Sequence, residues 1–142
     1  MPIQHFMKSY KRAWETSDEE LLASLFAPDG RYHNTPFAVQ AGHEQIKKYW
    51  QRTKLQSDVV LTFEILHTAA NSGIAHWHTT YQVTSEEMFS MWAASTGTNA
   101  LARQPGDPLP RLALDGVAVA EFEANGLCRD FRIWWHSMID KS

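Results

Sequence analysis

A single cysteine, Cys128, stands in this chain of 142 residues. That scarcity excludes an internal disulfide and a cysteine-based zinc site, and it fits a reducing compartment. Long apolar runs are missing as well. The opening stretch MPIQHFMKSYKRAW holds neither a signal core nor a membrane span, so a cytoplasmic protein with no membrane partner is expected. Charge of one sign is nowhere concentrated: 13 Lys and Arg are scattered among 16 Asp and Glu, for a formal net charge of -3. Without a basic stripe interleaved with aromatics, no nucleic-acid partner is expected. There is no G-x-S-x-G, no glycine-rich phosphate loop and no H-E-x-x-H, so serine-triad hydrolysis lacks a signal and no cofactor is expected.

What the chain does have is apolar bulk. Hydrophobic residues make up 44% and charged residues 20%, the balance of an ordinary globular protein. The length suits one domain over residues 1–142, burying about two thirds of its unfolded surface. Six Trp, seven Phe and four Tyr are unusual, and rings in that number imply either a heavily aromatic core or an apolar ligand pocket.

From Gln4 to Phe26 the apolar positions recur at helical spacing with a break near ETSDEE, which predicts two helices. Ser17 or Asp18 can cap the second, with Glu20 placed as in a capping box, and APDG stops it. RYHNTPF then reads as a short strand. A third helix follows Gly42, carried to about Gln56 by the stripe Ile46, Tyr49, Trp50 and Thr53. Val59, Leu61, Phe63 and Ile65 alternate with polar residues in a strand that AANSG turns into IAHWHTTYQV, a hairpin partner. Residues 85–110 break the rhythm: the front half suits a helical turn or a strand extension, and the rest reads as an inserted loop, a lid, subunit arm or surface excursion. Two strands, LALDGVAVAEFE and LCRDFRIWWHSM, close the chain. The order implies an α+β fold with helices on one face of a curved antiparallel sheet.

Alternation assigns Ala75, Trp77, Thr79, Tyr81 and Val83 to one face of their strand and His76, His78 and Thr80 to the other. Leu112, Leu114, Gly116, Ala118, Ala120 and Phe122 share a face that is small in its middle, leaving room for a close helix approach or a cavity. Phe131, Ile133 and Trp135 oppose Arg132, Trp134 and His136. His76 and His78 lie two apart on a strand and could meet His136 or Glu121, yet that spacing alone does not specify a metal, and none is assigned.

Taken in order, DEELLASLFAPDGRYHNTPF, GHEQIKKYW and LDGVAVAEFEANGLCRDFRIWWH resemble the SnoaL-like branch of the nuclear transport factor 2-like superfamily, over nearly the whole chain except residues 85–110. The resemblance implies a cystatin-like cone: a strongly curved antiparallel sheet wrapped around about three N-terminal helices, with a ligand pocket at its open end, assembled as a homodimer. It also brings candidate catalytic positions. Tyr10 falls on the oxyanion-binding tyrosine of the ketosteroid isomerases, Asn34 on their general base and Ala120 on their protonated aspartate. Asn cannot take a proton at neutral pH, whereas a shift of one residue would put His33 at the base position.

The expected function is therefore a pocket for a small apolar or aromatic molecule. Tyr10, Tyr32, Asn34, Thr79 and Tyr81 are its candidate polar groups, and Trp14, Trp50, Trp77, Phe122 and Trp135 its candidate walls. The alternatives are an isomerase, cyclase or dehydratase acting by proton transfer, and a homodimeric assembly domain with a filled cone. The face holding His76, His78, Trp134 and His136 is the expected subunit contact, because a Trp exposed there is otherwise awkward.

Overall fold

Apolar residues at Ile3, Phe6, Met7, Tyr10, Ala13 and Trp14 give the first segment one continuous buried side, and it forms helix α1, Pro2–Glu15. In this computed structural model, which describes residues 2–96, 104 and 106–140, α1 lies across the long hairpin β3 (Gln56–Ala69) and β4 (Ser72–Val83). Asp18 caps α2, Glu19–Ser24, by accepting from the Leu21 amide at 2.9 Å. Ser17 makes no capping box. Its backbone is left-handed, with φ 53°, and its hydroxyl instead donates to the Thr53 carbonyl at 3.0 Å.

Strand β1 runs over Phe26–Thr35, so APDG does not precede the strand but lies inside it. Proline has no N–H for the ladder and forces an irregularity: pairing with β6 (Cys128–Ile139) holds at Phe26, lapses, and resumes at Arg31. Gly30 is required in that irregular stretch, since a Cβ there would lie 2.8 Å from the Cys128 carbonyl oxygen. A short strand unforeseen in the sequence, β2 at Ala38–Ala41, pairs antiparallel with β1. Helix α3 covers Gly42–Trp50 and ends in a 3-10 turn, Gln51–Leu55, rather than running as one helix to Gln56.

Five antiparallel or parallel pairings link six strands in the order β2-β1-β6-β5-β4-β3, where β5 is Arg111–Phe122 and only β1 and β6 run parallel. The curved, unclosed sheet wraps the helices in an α+β cone. Within residues 85–110 the front half forms helix α4, Glu86–Thr96, started by the Ser85 hydroxyl accepting from the Met88 amide at 3.1 Å. Most of the expected loop, residues 97–103 and 105, lies outside the described residues. No helix among the described residues is long and apolar enough to cross a membrane.

The alternation read from the strands matches their burial: Ala75, Trp77, Thr79, Tyr81 and Val83 are buried, as are Leu112, Leu114, Ala118, Ala120 and Phe122, while Arg132, Trp134 and His136 are exposed. The small middle of β5 is not a void. Around Gly116 the space is taken by the Trp77 indole: a Cβ there would sit 2.8 Å from Trp77 Cζ2 and 2.9 Å from Trp135 Cβ, and would collide with the Trp134 carbonyl oxygen. Gly116→Ala is accordingly expected to destabilise the fold by about 1–3 kcal/mol, the usual cost of overpacking a core. Thermal unfolding followed by circular dichroism checks this; an unchanged midpoint would contradict the packing described.

Candidate functional site

The wide end of the cone holds a partly open cavity of about 90 Å³. Its floor is built from buried rings: Trp14 of α1, Trp50 of α3, Trp77 and Tyr81 of β4, and Tyr32 of β1. Leu114 and Ile133 add aliphatic wall, and α4 closes one side with Met88, Met91 and Trp92. The rim is less buried and more polar, carrying Asn34, Thr35, Tyr49, Arg52, Ser95 and Trp135.

Four of the five cavity tryptophans have satisfied indole N–H groups. Trp14 donates to Gln56 Oε1 at 2.7 Å, Trp50 to the Ala13 carbonyl at 3.3 Å, Trp92 to Ser137 Oγ at 2.8 Å and Trp135 to the Asn34 carbonyl at 2.7 Å. Trp77 differs. Its Nε1, fully buried, has no partner, and leaving such a donor unmade costs about 1–3 kcal/mol. At the rim the Arg52 guanidinium lies 4.0 Å above the Tyr49 ring, and its Nε donates to the Tyr49 carbonyl at 3.2 Å.

The cavity phenols behave as donors, not bases. Burial pushes the pKa values of Tyr32, Tyr49 and Tyr81 above the ordinary tyrosine range, and the nearby Arg52 charge only partly opposes this. No carboxylate or imidazole lines the cavity among the described residues. Burial likewise raises the Cys128 thiol, on β6 away from the cavity, so it is held as an unreactive thiol.

Of the residues named from the sequence, the structure gathers Trp14, Tyr32, Asn34, Trp50, Trp77, Tyr81 and Trp135 around this cavity. Four others lie elsewhere. Tyr10 is fully buried behind Tyr32, their hydroxyls 2.7 Å apart, because α1 points it into the cluster of Phe6, Phe131 and Trp50. Phe122 packs on Phe6 at 5.8 Å in the closed part of the core. Thr79 spends its hydroxyl on the Val60 carbonyl at 3.1 Å, where β3 bulges. His33 turns away from the cavity: its Nε2 lies 2.9 Å from Asp130 Oδ1, and Arg132 Nε donates to the other carboxylate oxygen at 2.8 Å.

Sequence reasoning missed Tyr49, Arg52, Gln56 and the whole α4 wall as cavity residues. A signal for α4 existed: Ser85 before two glutamates, followed by Met88, Met91, Trp92 and Ser95 at helical spacing. For Arg52 the clue was its position three residues after Tyr49 on one helical face.

On the opposite, outer face His76 bridges two acids, with Nε2 2.8 Å from Asp115 Oδ1 and Nδ1 3.3 Å from Glu64 Oε1, while His78 Nδ1 lies 3.0 Å from Asp115 Oδ2. Among the described residues, no group of three or more His, Cys, Asp or Glu converges as a metal site.

Residues 7–131 match the family model for the SnoaL-like domain. A crystal structure of a hypothetical protein with a ketosteroid isomerase-like fold from Catenulispora acidiphila, in complex with trimethylamine, aligns with a TM-score of 0.67 at 16% identity, covering 92% of this chain and 85% of that one. SalBIII, an epoxide hydrolase/cyclase-like enzyme in pyran ring formation in the polyether salinomycin, aligns with a TM-score of 0.69 at 12% identity, covering 96% and 95%. Identities this low show a shared fold alone. No curated protein matches the sequence significantly.

The outer cluster has a definite proton preference. The hydrogen bond with Asp115 is the main cause raising the His76 pKa; burial opposes it and Glu64 adds to it. Burial pushes Asp115 upward, but its bonds with His76 and His78 outweigh that and leave its carboxyl below the usual range. The His76 contribution to stability is thus fully present below the unfolded value of about 6.5 and is lost as pH rises through the higher folded value. Histidine resonances followed by NMR should show His76 titrating above that reference and Asp115→Asn bringing it down; a His76 titration untouched by that substitution would contradict the assignment.

Proposed function

The chain belongs to the SnoaL-like domain family, and from the lining of its cavity we propose that it binds a small, largely apolar or aromatic molecule inside the cone, without acid–base chemistry on it. The observation carrying this reading is the pairing of an open aromatic floor with a lining that holds no carboxylate or imidazole among the described residues. An apolar body gains by leaving water for contact with Trp14, Trp50 and Trp77, and Tyr32, Asn34, Tyr81 and Trp135 border the same space.

An isomerase, cyclase or dehydratase of this fold would need a group able to take a proton near neutral pH. Asn34 stands at the rim where the isomerase resemblance puts a base, its Oδ1 accepting from Gln40 Nε2 at 3.2 Å. The phenols are held protonated by burial, and His33 is engaged with Asp130 outside the cavity. A cone filled by its own side chains, as an assembly domain would have, fits poorly with the space left at the wide end.

Homodimerisation in the cytoplasm belongs to the same proposal. It is supported by the family and by the half-exposed Trp134 and Met138 beside His136 on the outer sheet face. Light scattering at micromolar concentration should give the mass of two chains, and a monomer there removes this part of the proposal.

Titration with p-cresol should change tryptophan emission saturably, because five indoles line the cavity, while mass spectrometry detects no conversion of the ligand. Ile133→Trp, which fills the space with an indole, should weaken binding by about tenfold or more, as loss of a well-buried apolar contact implies. Conversion of the p-cresol would overturn the binding-only reading, and saturable emission changes unaffected by Ile133→Trp would remove the cavity as the site.

A further inference from the structure

Arg52 is the cavity group for which a purely apolar ligand offers nothing. It sits at the rim on the 3-10 turn after α3, where its own Nε bond to the Tyr49 carbonyl and the Tyr49 ring beneath it fix its place. Both contacts leave the two terminal nitrogens unspent, and no Asp or Glu pairs with Arg52 among the described residues. A guanidinium stays charged at any physiological pH, and its fork of donors matches a carboxylate in plane and spacing.

The remaining polar groups lean the same way. An indole N–H can only donate, so the Gln56 amide must present its oxygen to Trp14, which turns its NH₂ elsewhere with no partner among the described residues. Two carbonyl acceptors of the lining, by contrast, are occupied: that of Asn34 takes the Trp135 N–H and that of Thr53 takes the Ser17 hydroxyl. The cavity offers donors and one positive charge, and asks for acceptors.

We infer that the ligand is an anion: a small aromatic or otherwise apolar carboxylate whose body enters among Trp14, Trp50 and Trp77 while its carboxylate meets Arg52 at the rim. This rests on the binding reading above and adds to it the ligand's charge and head group. The depth order supports it, since the rings are buried and Arg52 only partly so, matching a molecule that goes in ring first. The Arg52 charge also reaches Tyr49 at the rim and Tyr32 and Tyr81 on the floor, so it acts beyond its own place in the cavity. An ammonium ligand is the competing chemistry, because aromatic faces attract cations, but Arg52 would repel it.

Calorimetric titration of the intact protein at neutral pH with benzoate, benzamide and benzylamine separates these chemistries with rings of one size. Benzoate should bind about tenfold or more tightly than benzamide, the difference one charge-assisted pair supplies, and benzylamine should bind weakest. Added salt should weaken benzoate selectively. Arg52→Gln should bring benzoate down to the level of benzamide, and Arg52→Lys should keep part of the preference. Benzamide equal to benzoate, or benzylamine tightest, in the unmodified protein would overturn the anion inference while leaving the binding reading standing; that comparison decides without any variant having to fold. Binding of none of the three would remove both.

Discussion

Trp77 lying over Gly116 is the contact on which the rest of the cone depends. One strand gives up its side chain so that the indole of its neighbour can approach the backbone at Gly116, with the Trp14 ring of α1 5.8 Å from that indole. Helix, β4 and β5 are thereby tied through one ring. A large residue at position 116 would lift Trp77 toward the helices and consume the space at the wide end; the glycine keeps the ring low and makes it a floor. The apolar cluster continues from there through Tyr10, Phe6 and Phe131, whose rings are buried and stand 5.2 Å (Tyr10 to Phe131) and 4.8 Å (Phe6 to Phe131) apart at the narrow end.

That division explains what could be read from the sequence and what could not. Strand parity is local and strict, so the inward faces of β4 and β5 and the outward setting of Trp134 and His136 were legible from alternation. The depth of a residue along the cone is not local. Tyr10 and Phe122 share a face with cavity residues yet sit at the filled end, and no periodicity distinguishes the two ends. Strand β1 was misjudged for a related reason: Pro28 and Gly30 read as a helix stop, but an irregular stretch that suspends pairing with β6 accommodates both within a strand. Thr79 shows a third limit, because the bulge in β3 that captures its hydroxyl is a property of pairing and not of either strand alone.

The polar arrangement follows from the same geometry. Burial keeps every cavity phenol protonated, and the acids and histidines of β4, β5 and β6 occupy the outer face, where Asp115 with His76 and His78, and Asp130 with His33 and Arg132, satisfy one another. Parity therefore sorts chemistry as well as bulk: titratable groups outside, rings and donors inside. In this chain Asn34 and Ala120 hold the positions that the isomerase resemblance would assign to acids, and neither side chain can take a proton near neutral pH.

The cavity carries a cost that a filled cone would not. A void of about 90 Å³ is worth at most about 2 kcal/mol of lost packing at roughly 24 cal/mol per Å³, and the unpaired Trp77 N–H adds a similar amount. Against a net stability of about 5–15 kcal/mol for a domain, that is a substantial fraction. Simple changes within this lining would remove it: a larger side chain at Leu114 or Ile133 fills the space, and a phenylalanine in place of Trp77 removes the orphaned donor. A domain needing its cone only as a scaffold gains by such changes, whereas one that must admit a ring and its acceptor atoms loses its ligand by them. The open floor and the unpaired Arg52 guanidinium are the features that the proposed ligand would complete, whereas the sealed Trp77 N–H remains a cost of how the floor is packed.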